Sequence, residues 1–396
     1  MKNRLIPAIT FLLIATLACQ LDQGPVTTPL PPSVTPTITL TPTLTITPTP
    51  TITPTPQLSA AGGPVLLDLH MFSGNRGWGL TENMIISTRN GGLNWAQVPL
   101  PGATVDASLG AFFLSADTAF FVEPVPNAQI GQFFATHDGG QPDKWGIYPT
   151  PFPTAKLYFM DEKNGFAFQT LSKTTDLMTV AIYQTTDGGA NWTQVFIHAA
   201  NQGDTNLPVP GIKSGMSFID QNNGFIGLLS QKNSIGLYGS TDSGKHWTKK
   251  DLQVPDALSA YVASVRQPYF FQSRVIEGFV PVDFVVGDSS TWTTVFYATT
   301  DTGVTWQQKA PILEGEAYYF LNPQTGWAWG KHTIYFTTDG AQTWTPLPTA
   351  FSAKEHASLL VFSDSQHGWL ITVDAKNVQH QYRTSDGGNT WTIVVY

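Results

Sequence analysis

Seven times between residues 88 and 391 the chain writes Thr/Ser-x-Asp-x-Gly-x-x-Trp or a near relative. The boxes run from Asn90 to Trp95, Asp138 to Trp145, Asp187 to Trp192, Asp242 to Trp247, Asp301 to Trp306, Asp339 to Trp344 and Asp386 to Trp391. Successive boxes lie 48, 49, 55, 59, 38 and 47 residues apart. A period of this size means one supersecondary unit per repeat, each unable to bury its apolar face without its neighbours. Within a box, the carboxylate accepts backbone N–H groups of its own turn and the glycine supplies a positive φ. The tryptophan then opens the next strand and covers the hairpin. Asn90 keeps an acceptor at this position, Ala341 replaces a glycine and is expected to strain its turn, and the second box carries two extra residues.

A second motif precedes most boxes: an apolar stretch ending in Phe, a polar turn, then Gly-aromatic. It reads Phe72…Gly77-Trp78, Phe159…Gly165-Phe166, Phe218…Gly224-Phe225, Phe320…Gly326-Trp327 and Phe362…Gly368-Trp369. Each is a strand, a turn and a second strand; with the strands flanking the box, a repeat holds four. Residues 64–396 divided among seven repeats give about 48 each, the size of a four-stranded propeller blade. Composition agrees: 35 Gly, 29 Pro, 12% aromatic and only 12% charged residues suit short strands and turns rather than helices. The predicted fold is all-β, a seven-bladed propeller of four-stranded blades.

These boxes resemble BNR or Asp-box repeats, and the phase Phe-x-Asp…Gly-Trp…Thr-Asp-Gly-Gly-x-Thr-Trp resembles the photosystem II assembly and stability factor family over about 64–396. The resemblance implies a membrane-tethered or lumenal propeller that chaperones a membrane complex, docking partly through an arginine-rich surface. The arginines here are Arg76, Arg89, Arg266, Arg274 and Arg383. Asp-boxes also occur in sialidases, xyloglucanases and sortilin-like receptors, on the blade periphery and away from the ligand.

Lettering the strands A to D from the axis outward, the boxes are C–D turns and the Gly-aromatic motifs close A–B turns, both on one face. The B–C and D–A loops on the opposite face vary in length and are the expected ligand rim. Its candidates are Lys156, Asp204, Lys213, Arg266, Arg274, Glu277, Glu314, Glu316, Glu355 and His356. The final blade ends with its own outer strand and the first opens with its own inner strand. Closure is therefore expected without a swapped strand, by packing of apolar faces alone.

The N-terminus reads as an address. Lys2 and Arg4 precede an apolar run over residues 5–17 that is too short to span a bilayer, and Thr16-Leu17-Ala18-Cys19 follows. This resembles a bacterial lipoprotein signal: residues 1–18 are removed and Cys19, the single cysteine, carries the lipid. Residues 19–63 form a tether. Between 25 and 56 stand 13 Thr and 10 Pro, and no charge occurs from 23 to 67, so the segment is expected to be extended and without a core.

Function is bounded mainly by exclusion. A net charge of −8 leaves no basic field for nucleic acid. One cysteine permits neither an internal disulfide nor a cysteine zinc site, and the eight histidines stand singly without a metal motif. One carboxylate per turn is too few oxygens for calcium, and no phosphate loop or dinucleotide fingerprint occurs, so neither metal nor cofactor is expected. A sialidase would need an arginine triad, for which five domain arginines, two of them in or beside structural turns, leave little, and a Phe-Arg-Ile-Pro segment before the first box, which is absent. A two-carboxylate glycosidase could draw on Glu314, Glu316 and Glu355. The expectation is a monomeric, noncatalytic, membrane-tethered propeller at the outer face of a bacterial cell that binds a protein partner; envelope glycan is the alternative.

Overall fold

A computed structural model describes residues 63–198, 207–232, 234–271, 277–285, 291–348, 351–352 and 354–395. Cys19 and the tether up to residue 62 lie outside them. Each repeat forms an antiparallel sheet whose strands follow in sequence order from the axis outward. The first blade runs Asp68–Met71, Gly77–Leu80, Ile85–Thr88 and Ala96–Gln97. The second is Gly110–Phe113, Ala119–Pro124, Gly131–Thr136 and Gly146–Thr150; the third is Lys156–Phe159, Gly165–Lys173, Met178–Thr185 and Thr193–Ile197. The last two are Gly315–Phe320, Gly326–Gly330, Thr333–Thr337 and Thr345–Pro346, then His356–Phe362, Gly368–Val373, Gln379–Thr384 and Thr392–Ile393. The only helical element among the described residues is a single 3-10 turn, Asp256–Leu258.

The fourth and fifth blades depart from seven separate sheets. Strand Gly224–Lys232 runs past its own blade and pairs Leu229 with Ser264 and Lys232 with Val262, so the two blades share one ladder. The inner strand of the fifth blade is broken into Val262–Val265 and Tyr269–Phe271. Pro268 stands in the break, where a missing N–H costs no ladder bond.

The second motif is the adhesive between blades. The aromatic that opens strand B of one blade stacks on the Phe that ends strand A of the next. Phe120 lies on Phe159 at 3.8 Å, Phe166 on Phe218 at 3.5 Å, Phe279 on Phe320 at 4.0 Å and Trp327 on Phe362 at 3.7 Å between ring centroids. Trp78 with Phe113, and Phe225 with Phe270, repeat the contact at longer range. The glycine is required because the same Phe covers it: a Cβ on Gly165 would sit 2.6 Å from the Phe159 ring, and one on Gly326 would sit 2.4 Å from Phe320. The box tryptophan packs edge-on against this Phe, as Trp192 on Phe159 and Trp247 on Phe218 do. The two motifs thus meet in one aromatic cluster per blade interface.

The boxes share one geometry. In the third blade, Asp187 Oδ1 accepts from the Asn191 N–H and the Thr185 hydroxyl, both at 2.9 Å, and the Gly189 N–H donates to Thr185 Oγ1 at 2.9 Å. Burial opposes ionisation of Asp187, yet the Asn191 and Thr185 hydrogen bonds hold its carboxyl below the usual range. Both residues after the acid have φ > 0 in every box, including Ser243, Thr302 and Ala341, which carry side chains into a region that favours glycine. The box N–H also reaches the A–B turn, as in Gly188 N–H to Lys163 O (2.9 Å) and Gly387 N–H to Gln366 O (2.9 Å), which places both turns on one face.

The ring closes without a swapped strand, since first and last blades each use four strands of their own. Apolar packing joins Leu66, Leu69, Met71 and Trp95 to Val361, Trp369 and Ile371. The expectation that apolar faces act alone is corrected, because a polar clasp joins them. Gln379 accepts the Leu66 N–H (2.7 Å) and donates to the Leu66 carbonyl (2.9 Å), and Gln381 donates to the Pro64 carbonyl (2.8 Å). Trp369 Nε1–H adds a bond to Gly91 O at 2.9 Å.

Candidate functional site

Strand alternation decides what the axis presents. Where Met71, Phe113, Phe159, Phe218 and Phe270 turn from the inner strands into the blade interfaces, the residue before each points the other way. In the first five blades those residues are His70, Phe112, Tyr158, Ser217 and Tyr269, and all five line one cavity of about 760 Å³. Its lining runs from Asp68, Ser108 and Thr154, near where inner strands begin, to Tyr158 and Tyr269 near where they end. The side on which inner strands begin is the face of the D–A loops.

Most polar groups here serve the ring itself. The Tyr158 hydroxyl is bonded to the Phe218 main chain, and burial pushes it up to about 12. Tyr269 donates to Phe320 O at 3.2 Å and is raised by burial, with Tyr319 and Tyr158 adding to the effect. Ser217 donates to Pro268 O (2.5 Å), and Gln267 Nε2–H donates to Met216 O (2.9 Å). Each bond crosses from one blade to the next. Asp68 and His70 form the one acid–imidazole pair on the wall, with Nε2 and Oδ2 3.0 Å apart. Burial works against ionised Asp68, but His70 and the Leu69 N–H outweigh it and hold its carboxyl below the usual range.

The rim residues named from sequence fall into three groups. Lys156 lines the cavity and donates to Ser214 O at 3.0 Å; burial, then Lys173, lowers its ammonium. Glu314, Glu316, Glu355 and His356 lie where the last two inner strands begin. Glu316 accepts His356 Nδ1–H and the Ala357 N–H, both at 2.6 Å, while Glu355 accepts from Thr372 (2.8 Å) and Tyr382 (3.1 Å). Arg266 belongs to structure: it pairs with Asp283 at 2.6 Å and donates to Gly315 O and Glu316 O across the interface.

Two candidates are corrected. Lys213 is not on the rim; it is 2% exposed, and its ammonium donates to the carbonyls of Met178, Pro208, Val209 and Gly211 at 2.5–3.0 Å. Residues 207–212 fold back against residues 176–178, as Met178 N–H to Val209 O and Gly211 N–H to Asp176 O show, which a loop position in sequence does not disclose. Glu277 opens strand B and lines a cleft with Asp339 and Gly340, so it lies on the box face. Asp204 and Arg274 lie outside the described residues. Sequence reading missed Asp68, His70, Phe112, Tyr158 and Tyr269. For Tyr158 the available signal was positional, the residue before the Phe of a second motif; the others stand in repeats where that motif is absent or shifted by a residue.

No protein-family model matches the chain, and no curated protein matches it. Among solved structures it is similar to an ancestral GH74 enzyme, with 14% identity over 85% of this chain and 47% of that one and a TM-score of 0.51. It is also similar to the PL25 ulvan lyase bound to -[GlcA(1-4)Rha3S]-, with 8% identity over 83% and 94% of the two chains and a TM-score of 0.50. YCF48 from Cyanidioschyzon merolae aligns with 15% identity over 84% and 99% and a TM-score of 0.48. The first two likenesses support the fold and nothing beyond it.

Proposed function

We propose that the propeller is a noncatalytic binding module that takes an extended segment of a protein partner into the mouth of the axial cavity. The observation that carries this reading is the cavity wall: aromatic rings around a space of about 760 Å³, with most neighbouring hydroxyls and amides already bonded to main chain. Such a wall offers apolar burial and shape, the usual basis of a pocket for a side chain or short segment. Chemistry has less to work with. Glu316 and Glu355 are held by hydrogen bonds within the last two blades, where they serve as structural acceptors rather than as a free acid and base. Catalysis is therefore not proposed.

The arginine-rich surface implied by the sequence resemblance is not part of the proposal. Arg76 pairs with Asp117, Arg266 with Asp283, and Arg383 lies over the Trp369 ring. We further propose that a lipid on Cys19 and the Thr/Pro tether hold a monomeric propeller at the outer face of a bacterial membrane, with the D–A face free for a partner. Envelope glycan is the second reading, favoured by Phe112, Tyr158 and Tyr269 on one wall, since aromatic rings stack on the apolar faces of sugars.

The test is capture from detergent-solubilised envelope with the full-length chain, beside a polysaccharide array. Retention of defined membrane proteins that Phe112→Ala and Tyr269→Ala each reduce at least tenfold supports the first reading. Selective retention of a polysaccharide with the same losses supports the second. Binding that survives both substitutions overturns the assignment to the cavity. Cys19→Ala is expected to move the protein from the membrane to the soluble fraction, and unchanged fractionation would remove the anchor.

A further inference from the structure

The turn between strands Gly326–Gly330 and Thr333–Thr337 has two residues, Lys331 and His332, at φ +47 and +62. Two-residue hairpins with both φ positive normally use Asn-Gly or Gly-Gly, because a Cβ costs energy there. Strain of this kind persists where surrounding contacts enforce it, and it collects at functional positions. Here the contact is made by the histidine itself: its Nδ1 lies 3.0 Å from the carbonyl of Glu355, the residue before His356. A carbonyl only accepts, so Nδ1 carries the proton and a neutral His332 has its lone pair on Nε2.

His356 repeats the arrangement from the neighbouring blade. Its Nδ1 lies 2.6 Å from Glu316, whose other oxygen accepts the Ala357 N–H at 2.6 Å. The carboxylate is fixed, so Nδ1 is again the donor and Nε2 the free acceptor. The two imidazole centroids are 5.8 Å apart with planes 64° apart. The His356 side chain is 66% exposed. No hydrogen bond to either Nε2 occurs among the described residues.

We propose that His332 and His356 form a two-imidazole site for a divalent first-row transition metal, copper(II) or nickel(II) before zinc, on the D–A face between the last two blades. Histidines that ligate metals almost always donate their other ring N–H to a carboxylate or a backbone carbonyl, which fixes tautomer and orientation, and one of each is present here. With a metal–nitrogen bond of about 2.0–2.1 Å, each ring centroid stands about 3.2 Å from the ion, so two rings on one ion lie at most about 6.4 Å apart. The observed 5.8 Å falls within that limit. With two imidazole nitrogens and water completing the shell, the Irving–Williams order places copper(II) first among the divalent first-row ions. No group of three or more His, Cys, Asp or Glu suited to a metal occurs among the described residues, so an ion here would have two imidazole ligands, with water in its other positions. The site is independent of the axial cavity and of the binding reading built on it.

The test is calorimetric titration of the full chain carrying Cys19→Ser, which removes the only thiol, with copper(II) and separately with nickel(II). One site per chain is expected. His332→Gln and His356→Gln should each weaken binding at least tenfold, and Glu316→Gln should weaken it about tenfold through loss of the oriented acceptor. His367→Gln, on the box face, should bind as the parent does. A matched circular dichroism melt shows that the variants are folded. Binding that is absent, or that persists in both His332→Gln and His356→Gln, overturns the site.

Discussion

Ring closure puts the polar clasp between first and last blades under direct test. Leu66 is 2% exposed, and Gln379 satisfies both its N–H and its carbonyl. Gln379→Ala leaves two buried main-chain groups without a partner. At about 1–3 kcal/mol for each unsatisfied group, and allowing that water reaches a half-buried site, the expected loss is about 2–4 kcal/mol. Gln381→Ala frees the Pro64 carbonyl and should cost about 1–2 kcal/mol through that bond. The double variant should cost less than the sum, because releasing residues 64–66 once removes both sets of bonds. Urea unfolding measures this as a shift of midpoint at constant slope. Hydrogen exchange adds a local reading, since the Leu66 amide should lose protection in Gln379→Ala before amides of the third blade do. Removing residues 57–62, which precede the clasp, should leave the midpoint unchanged. An unmoved midpoint and an unmoved Leu66 amide in Gln379→Ala would show that apolar packing closes the ring unaided.

Three further outcomes follow from single residues. Asp187→Ala removes the acceptor of the Asn191 N–H and should cost about 1–3 kcal/mol in urea unfolding, with no loss of partner binding at matched folding. Thr302 is exposed and β-branched at φ +61, so Thr302→Gly should be more stable by about 0.5–1 kcal/mol, strain relief of ~1–2 kcal/mol exceeding the added unfolded-state entropy; a lower midpoint would refute strain at that turn. Burial pushes the Lys213 ammonium from 10.5 down to about 8. The unfolded chain then binds more protons between those values, so stability rises with pH across that window by up to ~3 kcal/mol, and the full burial cost applies below about pH 8. Wild type should gain on Lys213→Met between pH 7.5 and 10, and parallel curves would show that the four carbonyls hold the ammonium without penalty.

Architecture was legible because the chain states it seven times. The Asp (Asn90 in the first box), the positive-φ pair and the Trp of each box are local chemistry, so one turn of sequence specifies one turn of structure. The Phe and Gly of the second motif were visible too, but their meaning was not. Phe166 and Phe218 are 52 positions apart, and only the ring of blades shows that one stacks on the other. Site residues were less legible for the same reason. Lys213 read as a loop cation until its four carbonyls were brought round it, and His332 and His356 read as isolated histidines until adjacent blades set them side by side. Glu277 read as part of a divergent loop because its repeat lacks the usual turn, which removed the marker that assigns a residue to a face.

The two faces answer to different constraints. On the box face the acid and the turn N–H groups are consumed in every blade, and in most of them the box also ties down the A–B turn, as in Gly91 N–H to Asn75 O and Gly340 N–H to Gln324 O. On the opposite face, loops differ in length, strand Gly224–Lys232 overruns its blade, and Asp68, Ser108 and Thr154 line one end of the axial cavity. A ring built this way can keep its fold while its loops diverge, and similarity at 8–14% identity accordingly extends over more than four-fifths of this chain while speaking to the fold alone.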